Sequence, residues 1–84
     1  MDTKTKELIA IGASVTANCV PCLKYHFTQA TETGANEDEI RSAVAVGRMV
    51  RKGAARKWDE EADQLVERSR DHVSTGAEKS CGDS

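Results

Sequence analysis

The chain has 84 residues, with 12 basic against 14 acidic side chains and only 4% aromatics. That length allows one small domain with a thin core of mostly alanine and valine, so self-association is expected to supply further burial. The near balance of charge argues against a nucleic-acid or anionic-membrane partner, and no apolar run approaches the ~20 residues needed to span a bilayer. The start, Met1 through Glu7, lacks the positive stretch and apolar core of a signal peptide. The chain is therefore expected in the cytoplasm, where thiols stay reduced unless they are in use. Three cysteines, an odd number, argue against a structural disulfide framework.

Helical spacing dominates, and the pattern predicts an all-α bundle of about four helices over residues 1–72, followed by a flexible tail over 73–84. The first helix is predicted from Thr3 to Asn18, with Leu8, Ile11, Gly12 and Val15 on one face. Gly12, Ala13, Ser14 and Ala17 are small enough to admit another helix backbone at close range. Pro21 fits only a first turn, so a second helix is predicted from Cys19 to Thr33, with Asn18 as its N-cap and Gly34 as its stop. Its apolar arc is Val20, Leu23, Phe27 and Ala30, and Cys19, Cys22 and His26 lie along the edge of that arc. The thiols are thus expected to face the interior of the bundle.

Asn36 opens a third helix, with Glu37, Asp38 and Glu39 in the first turn and a capping-box spacing between Asn36 and Glu39. Ile40, Ala43, Val44, Gly47 and Val50 form its apolar face. Gly53 is expected to end or kink it. A fourth helix, from Ala54 to Arg70, turns Ala55, Trp58, Ala62, Leu65 and Val66 inward. The basic run of Arg48, Arg51, Lys52, Arg56 and Lys57 is answered by Asp59, Glu60, Glu61 and Asp63, and reads as a solvated face with local ion pairs.

The chemistry concentrates in Cys19-Val20-Pro21-Cys22-Leu23-Lys24-Tyr25-His26. At about 100° per residue, Cys19, Cys22 and His26 fall within roughly 60° of one another on a helix. Two thiols one turn apart can close a disulfide, and a helix N-terminus stabilises a thiolate. His26 can accept a thiol proton, which favours Cys22 as the attacking sulfur and Cys19 as the resolving one. The helix-start position favours the reverse assignment. Glu7, the first helix's acid, approaches His26 if the two helices pack antiparallel; otherwise it is a solvated first-turn glutamate. A metal-binding module using Cys19, Cys22, His26 and either Glu7 or Cys81 is the rival reading, although only one paired ligand knuckle is present. A helical scaffold without catalysis is the third. Cys81 is either an incidental tail thiol or a shuttle to the Cys19–Cys22 pair. No cofactor and no metal are expected.

Glu7, Cys19-Val20-Pro21-Cys22 and His26 together resemble the Glu-x(11)-Cys-x-x-Cys-x-x-x-His signature of the alkylhydroperoxidase D branch of the carboxymuconolactone decarboxylase family. The likeness extends through Asn36-Glu37-Asp38-Glu39-Ile40 and Gly53-Ala54-Ala55, about residues 3–70. It implies an all-helical single-repeat subunit that assembles as a trimer or a hexamer. It also implies a redox site in which Cys22 attacks, Cys19 resolves, and His26 and Glu7 relay protons. The implied substrates are a hydroperoxide or a disulfide, with a protein thiol as reductant. Pro21 departs from the branch's best-known peroxidases, which carry a histidine there. That tells against efficient peroxidase turnover and leaves dithiol–disulfide exchange intact.

Overall fold

Each helix begins where a side chain can accept from an N–H that the first turn leaves unpaired. Asp2 Oδ1 accepts from the Thr5 N–H at 2.8 Å, and Cys19 Sγ accepts from the Cys22 N–H at 3.3 Å. Asn36 Oδ1 accepts from the Glu39 N–H while Glu39 Oε1 accepts from the Asn36 N–H, both at 2.9 Å, which is the predicted capping box. These caps open α1 (Thr3–Thr16), α2 (Val20–Glu32) and α3 (Glu37–His72) in a computed structural model that describes residues 1–72. Among the described residues there is no strand, and the chain is all-α. The predicted tail, with Cys81, lies outside the described residues.

Two left-handed residues make the turns, Asn18 at φ 56° and Gly34 at φ 99°. In both, the next N–H reaches back five residues: Cys19 N–H to the Ser14 carbonyl at 3.0 Å, and Ala35 N–H to the Ala30 carbonyl at 2.9 Å. Such a closure satisfies the last carbonyls of a helix and reverses the chain. Gly34 fills its expected role. Asn18 does not, because it follows the end of α1 in this turn and the cap of α2 passes to Cys19. Asparagine tolerates the left-handed conformation, and once it is spent there the extended Cys19 is the next residue able to cap.

α1 is the middle element, packed on α3 along one side and on α2 along the other. Ile11, Ala30 and Ile40 form the buried centre, with Leu8, Leu23, Ala35, Ala43 and Val44 half-buried around it. Where α1 crosses α3, a Cβ on Gly47 would lie 2.6 Å from the Gly12 carbonyl oxygen and 2.7 Å from Val15 Cβ. Glycine is thus the residue that lets the backbones approach so closely. Thr16 Oγ1 donates to the Gly47 carbonyl at 3.1 Å, and Lys4 pairs with Glu39 at 2.9 Å near the helix starts.

Further expectations fail, chiefly where a helix face lacks cover from the described residues. Among the described residues there are three helices rather than four, because Gly53 does not end α3. No αL turn forms there, and the following Ala54-Ala55-Arg56-Lys57 are good helix formers that outweigh a glycine cost of about 1 kcal/mol. A helix of 36 residues is about 54 Å long, far beyond the reach of the 14-residue α1. Among the described residues, the second half of α3 therefore has nothing opposite it. Trp58 is 71% exposed, and Ala55, Leu65 and Val66 are exposed with it, while Ala62 is half-buried. On α2, likewise, Val20 and Phe27 are exposed and only Ala30 is buried, so Cys22 lies open and Cys19 half-covered instead of facing a bundle interior. Of the basic run, Arg56 and Lys57 pair with Glu60, whereas Arg51 turns to the backbone of α1.

Two glycine substitutions should separate these environments in thermal melts. Gly47→Ala should destabilise by about 1–3 kcal/mol through overpacking against backbone. Gly53→Ala, with nothing within 4 Å of the added Cβ, should stabilise by about 0.5–1 kcal/mol. The Asn36 N–H, and after it the Lys4 ammonium, hold the Glu39 carboxyl below its ordinary value. A lowered folded value means stability that is present above the ordinary carboxylate range and lost as the pH falls through the folded value. Glu39→Gln keeps a capping-box side chain but removes that titration, so its melting temperature should fall less steeply on acidification than the wild type's.

Candidate active site

The corner between α1 and α2 brings the chemistry together. Cys19 caps α2 and Cys22 is the third residue into it, which holds their Cα atoms 5.3 Å apart, and the two are joined as a disulfide. Pro21 occupies the first turn, where a missing N–H costs no helical bond. That leaves the Cys22 N–H aimed at Cys19 Sγ.

His26 follows Cys22 by one turn on the same side of α2. Its Nδ1 lies 2.7 Å from Oε1 of Glu7, which α1 presents from among its buried residues. With the carboxylate ionised, the proton of this contact sits on Nδ1, and Nε2 is left to exchange one. Tyr25 stands edge-on to the imidazole with ring centroids 5.0 Å apart. Antiparallel packing of α1 on α2 creates the Glu7–His26 contact across 19 residues of sequence. Glu7 is buried and paired rather than solvated.

Arg51 escaped the sequence reading, which grouped it with solvated cations. Its Nη1 donates to the Val15 carbonyl at 3.1 Å and to Asn18 Oδ1 at 3.0 Å, joining α3 to the turn that immediately precedes Cys19. One signal for it was available. Arg51 lies four residues after Gly47, on the edge of α3 that faces α1. Among the described residues, no three His, Cys, Asp or Glu side chains converge as a metal site requires. No helix among them is long and apolar enough to cross a membrane.

Fold and corner together define an all-helical protein with a Cys-x-x-Cys disulfide beside a histidine–glutamate pair. The sequence profile of the carboxymuconolactone decarboxylase family matches residues 1–63, and the chain belongs to that family. The family includes enzymes, decarboxylases and peroxidase-like proteins among them. A relative from Paracoccus denitrificans, "Uncharacterized protein 4 in cox locus", is 34% identical over 55 residues, covering 66% of this chain and 50% of the relative. The chain thus spans about half the length of that protein. No solved structure matches it.

Proposed function

We propose that this chain is a thiol–disulfide oxidoreductase whose Cys19–Cys22 pair carries two electrons between a protein dithiol and a disulfide or hydroperoxide substrate. The observation that carries the reading is the 2.7 Å contact between Glu7 and His26, one turn beyond the disulfide. A structural disulfide has no use for a buried carboxylate holding an imidazole beside it.

Reduction starts with a donor thiolate attacking Sγ of Cys22, the more exposed of the two residues. The bonding pair departs on Cys19, whose thiolate is stabilised by the Cys22 N–H and the N-terminal end of α2, and a better-stabilised thiolate leaves faster. The donor's second thiol then displaces Cys22. The donor leaves as its disulfide, and both cysteines hold the electrons. In the oxidising half, His26 takes the Cys22 proton. With a disulfide substrate, the Cys22 thiolate forms a mixed disulfide that Cys19 resolves, releasing two substrate thiols. With a hydroperoxide, the Cys22 thiolate attacks the terminal oxygen, the O–O bond breaks, and the alkoxide leaves as alcohol with the proton from His26. Cys19 then attacks the Cys22 sulfenic acid, expelling water and restoring the disulfide. Pro21 favours the disulfide route of the two.

Self-association belongs to the same reading. The apolar groove between α1 and α3, lined by Leu8, Ile9, Gly12, Val46 and Val50, is open, and so is the Trp58–Leu65–Val66 stripe of the same chain. The stripe lies on a single continuous helix and cannot fold back onto that groove. A second copy can fill it.

Cys22→Ser should abolish reduction of both disulfide and peroxide substrates, while His26→Gln and Glu7→Gln should each lower kcat/KM by about 100-fold. A Cys22→Ser protein with full turnover would overthrow the assignment. Sedimentation equilibrium should find an oligomer, either trimer or hexamer. Trp58→Lys combined with Leu65→Lys should shift it to monomer.

A further inference from the structure

Arg51 makes contacts that the redox cycle above does not use. It stands half-buried on α3, in a part of the chain rich in cations, and among the described residues its bonds go to two neutral oxygens. Its Nη1 divides its two protons between the Val15 carbonyl and the Asn18 side-chain oxygen. Val15 is in the last turn of α1, and Asn18 is the left-handed residue at φ 56°. Cys19 comes next, extended at φ −102° and ψ 99° so that its sulfur turns back over the first N–H groups of α2. One guanidinium therefore ties the final turn of α1, the strained corner and the long helix α3 into a single joint.

Asparagine tolerates positive φ better than other non-glycine residues, but it stays there only where its surroundings hold it. Asn18 has two such restraints: the backbone closure of its own turn and the bond from Arg51. Only the second depends on another element. Relaxation of Asn18 toward negative φ would swing the Cys19 backbone, because the two share a peptide unit. Cys22 sits in the helix and would stay behind. The distance between the sulfurs, and with it the ease of ring closure, is set at this corner.

We propose that Arg51 is a positioning residue for the thiol pair, holding Asn18 in its left-handed state so that Cys19 stays poised to close on Cys22. This rests on the reading that Cys19–Cys22 opens and closes. The effect is one of effective concentration: a preorganised pair forms its disulfide more readily and gives it up less readily. A purely electrostatic role has the opposite sign. A cation beside the corner would stabilise a Cys19 thiolate, so its loss would disfavour the reduced form and make the disulfide harder to reduce.

The test is the equilibrium of the full chain with glutathione, in which two glutathione thiols are oxidised to one glutathione disulfide for each Cys19–Cys22 bond reduced. Arg51→Met keeps the apolar stem and loses every donor. It should weaken the Cys19–Cys22 disulfide about tenfold, a reduction potential about 30 mV less negative for this two-electron couple. Arg51→Lys should recover more than half of that shift, since an ammonium also has protons for both oxygens. An unchanged equilibrium in a folded Arg51→Met protein would refute the proposal, and so would a shift toward a harder-to-reduce disulfide. Should Arg51→Met fail to fold, Asn18→Ala removes the same hydrogen bond from the other side and leaves a residue that positive φ disfavours. It should weaken the disulfide in the same direction, and an unchanged value there would refute the proposal equally. The equilibrium is read without turnover, so a failed catalytic reading and a failed positioning role give separate results.

Discussion

The contact between Gly12 and Gly47 is the constraint on which the other features depend. Because Gly47 carries no side chain, α1 lies against α3 with backbone nearly touching backbone at the Gly12 carbonyl. Thr16 and Arg51 can then bond across the seam from their own helices. With α1 so placed, its opposite side receives α2, and Glu7 is brought to His26. The Arg51 and Glu7 contacts at the thiol corner are thus downstream of a crossing that contains no catalytic atom. Where the described residues bury only Ile11, Val15, Ala30 and Ile40 as apolar core, backbone proximity does much of what a larger core would do.

Local chemistry was legible in the sequence, and tertiary consequence less so. The capping box at Asn36, the stop at Gly34 and the first-turn position of Pro21 follow from short-range rules about which backbone groups lack partners. The approach of Glu7 to His26 could be anticipated because antiparallel neighbours are the simplest result of a short connection. Asn18 was misplaced by one role. Asparagine suits both a helix start and a left-handed helix end, and only the closure from Cys19 N–H to Ser14 decides between them. Gly53 was misread as a breaker because propensity alone cannot say whether a turn follows.

The inward-facing expectation for Trp58, Leu65 and Val66 failed for a different reason. Periodicity says that a helix has an apolar side, not that its own chain supplies the cover. The same holds for Val20 and Phe27 on α2. Arg51 was hidden by its neighbourhood, where composition suggested a solvated patch. Its register relative to Gly47, rather than its charge, marks it as part of the α1–α3 seam. The Glu7 carboxylate shows the converse, since an acid in the first turns of a helix is ordinary until a partner helix covers it.

The chain holds one tryptophan and one tyrosine, and the fold sets them to separate tasks. Trp58 is 71% exposed on the free half of α3, far from the three-helix centre, while Tyr25 is edge-on to His26 beside the thiols. Indole emission from an isolated subunit is therefore already that of a wet fluorophore. It is nearly blind to unfolding of that subunit and responsive to anything that covers the stripe, a second copy included. Phenol emission, by contrast, comes from a ring against the imidazole. The two aromatic signals divide the molecule optically into a surface awaiting contact and a site, with the packed helices between them silent.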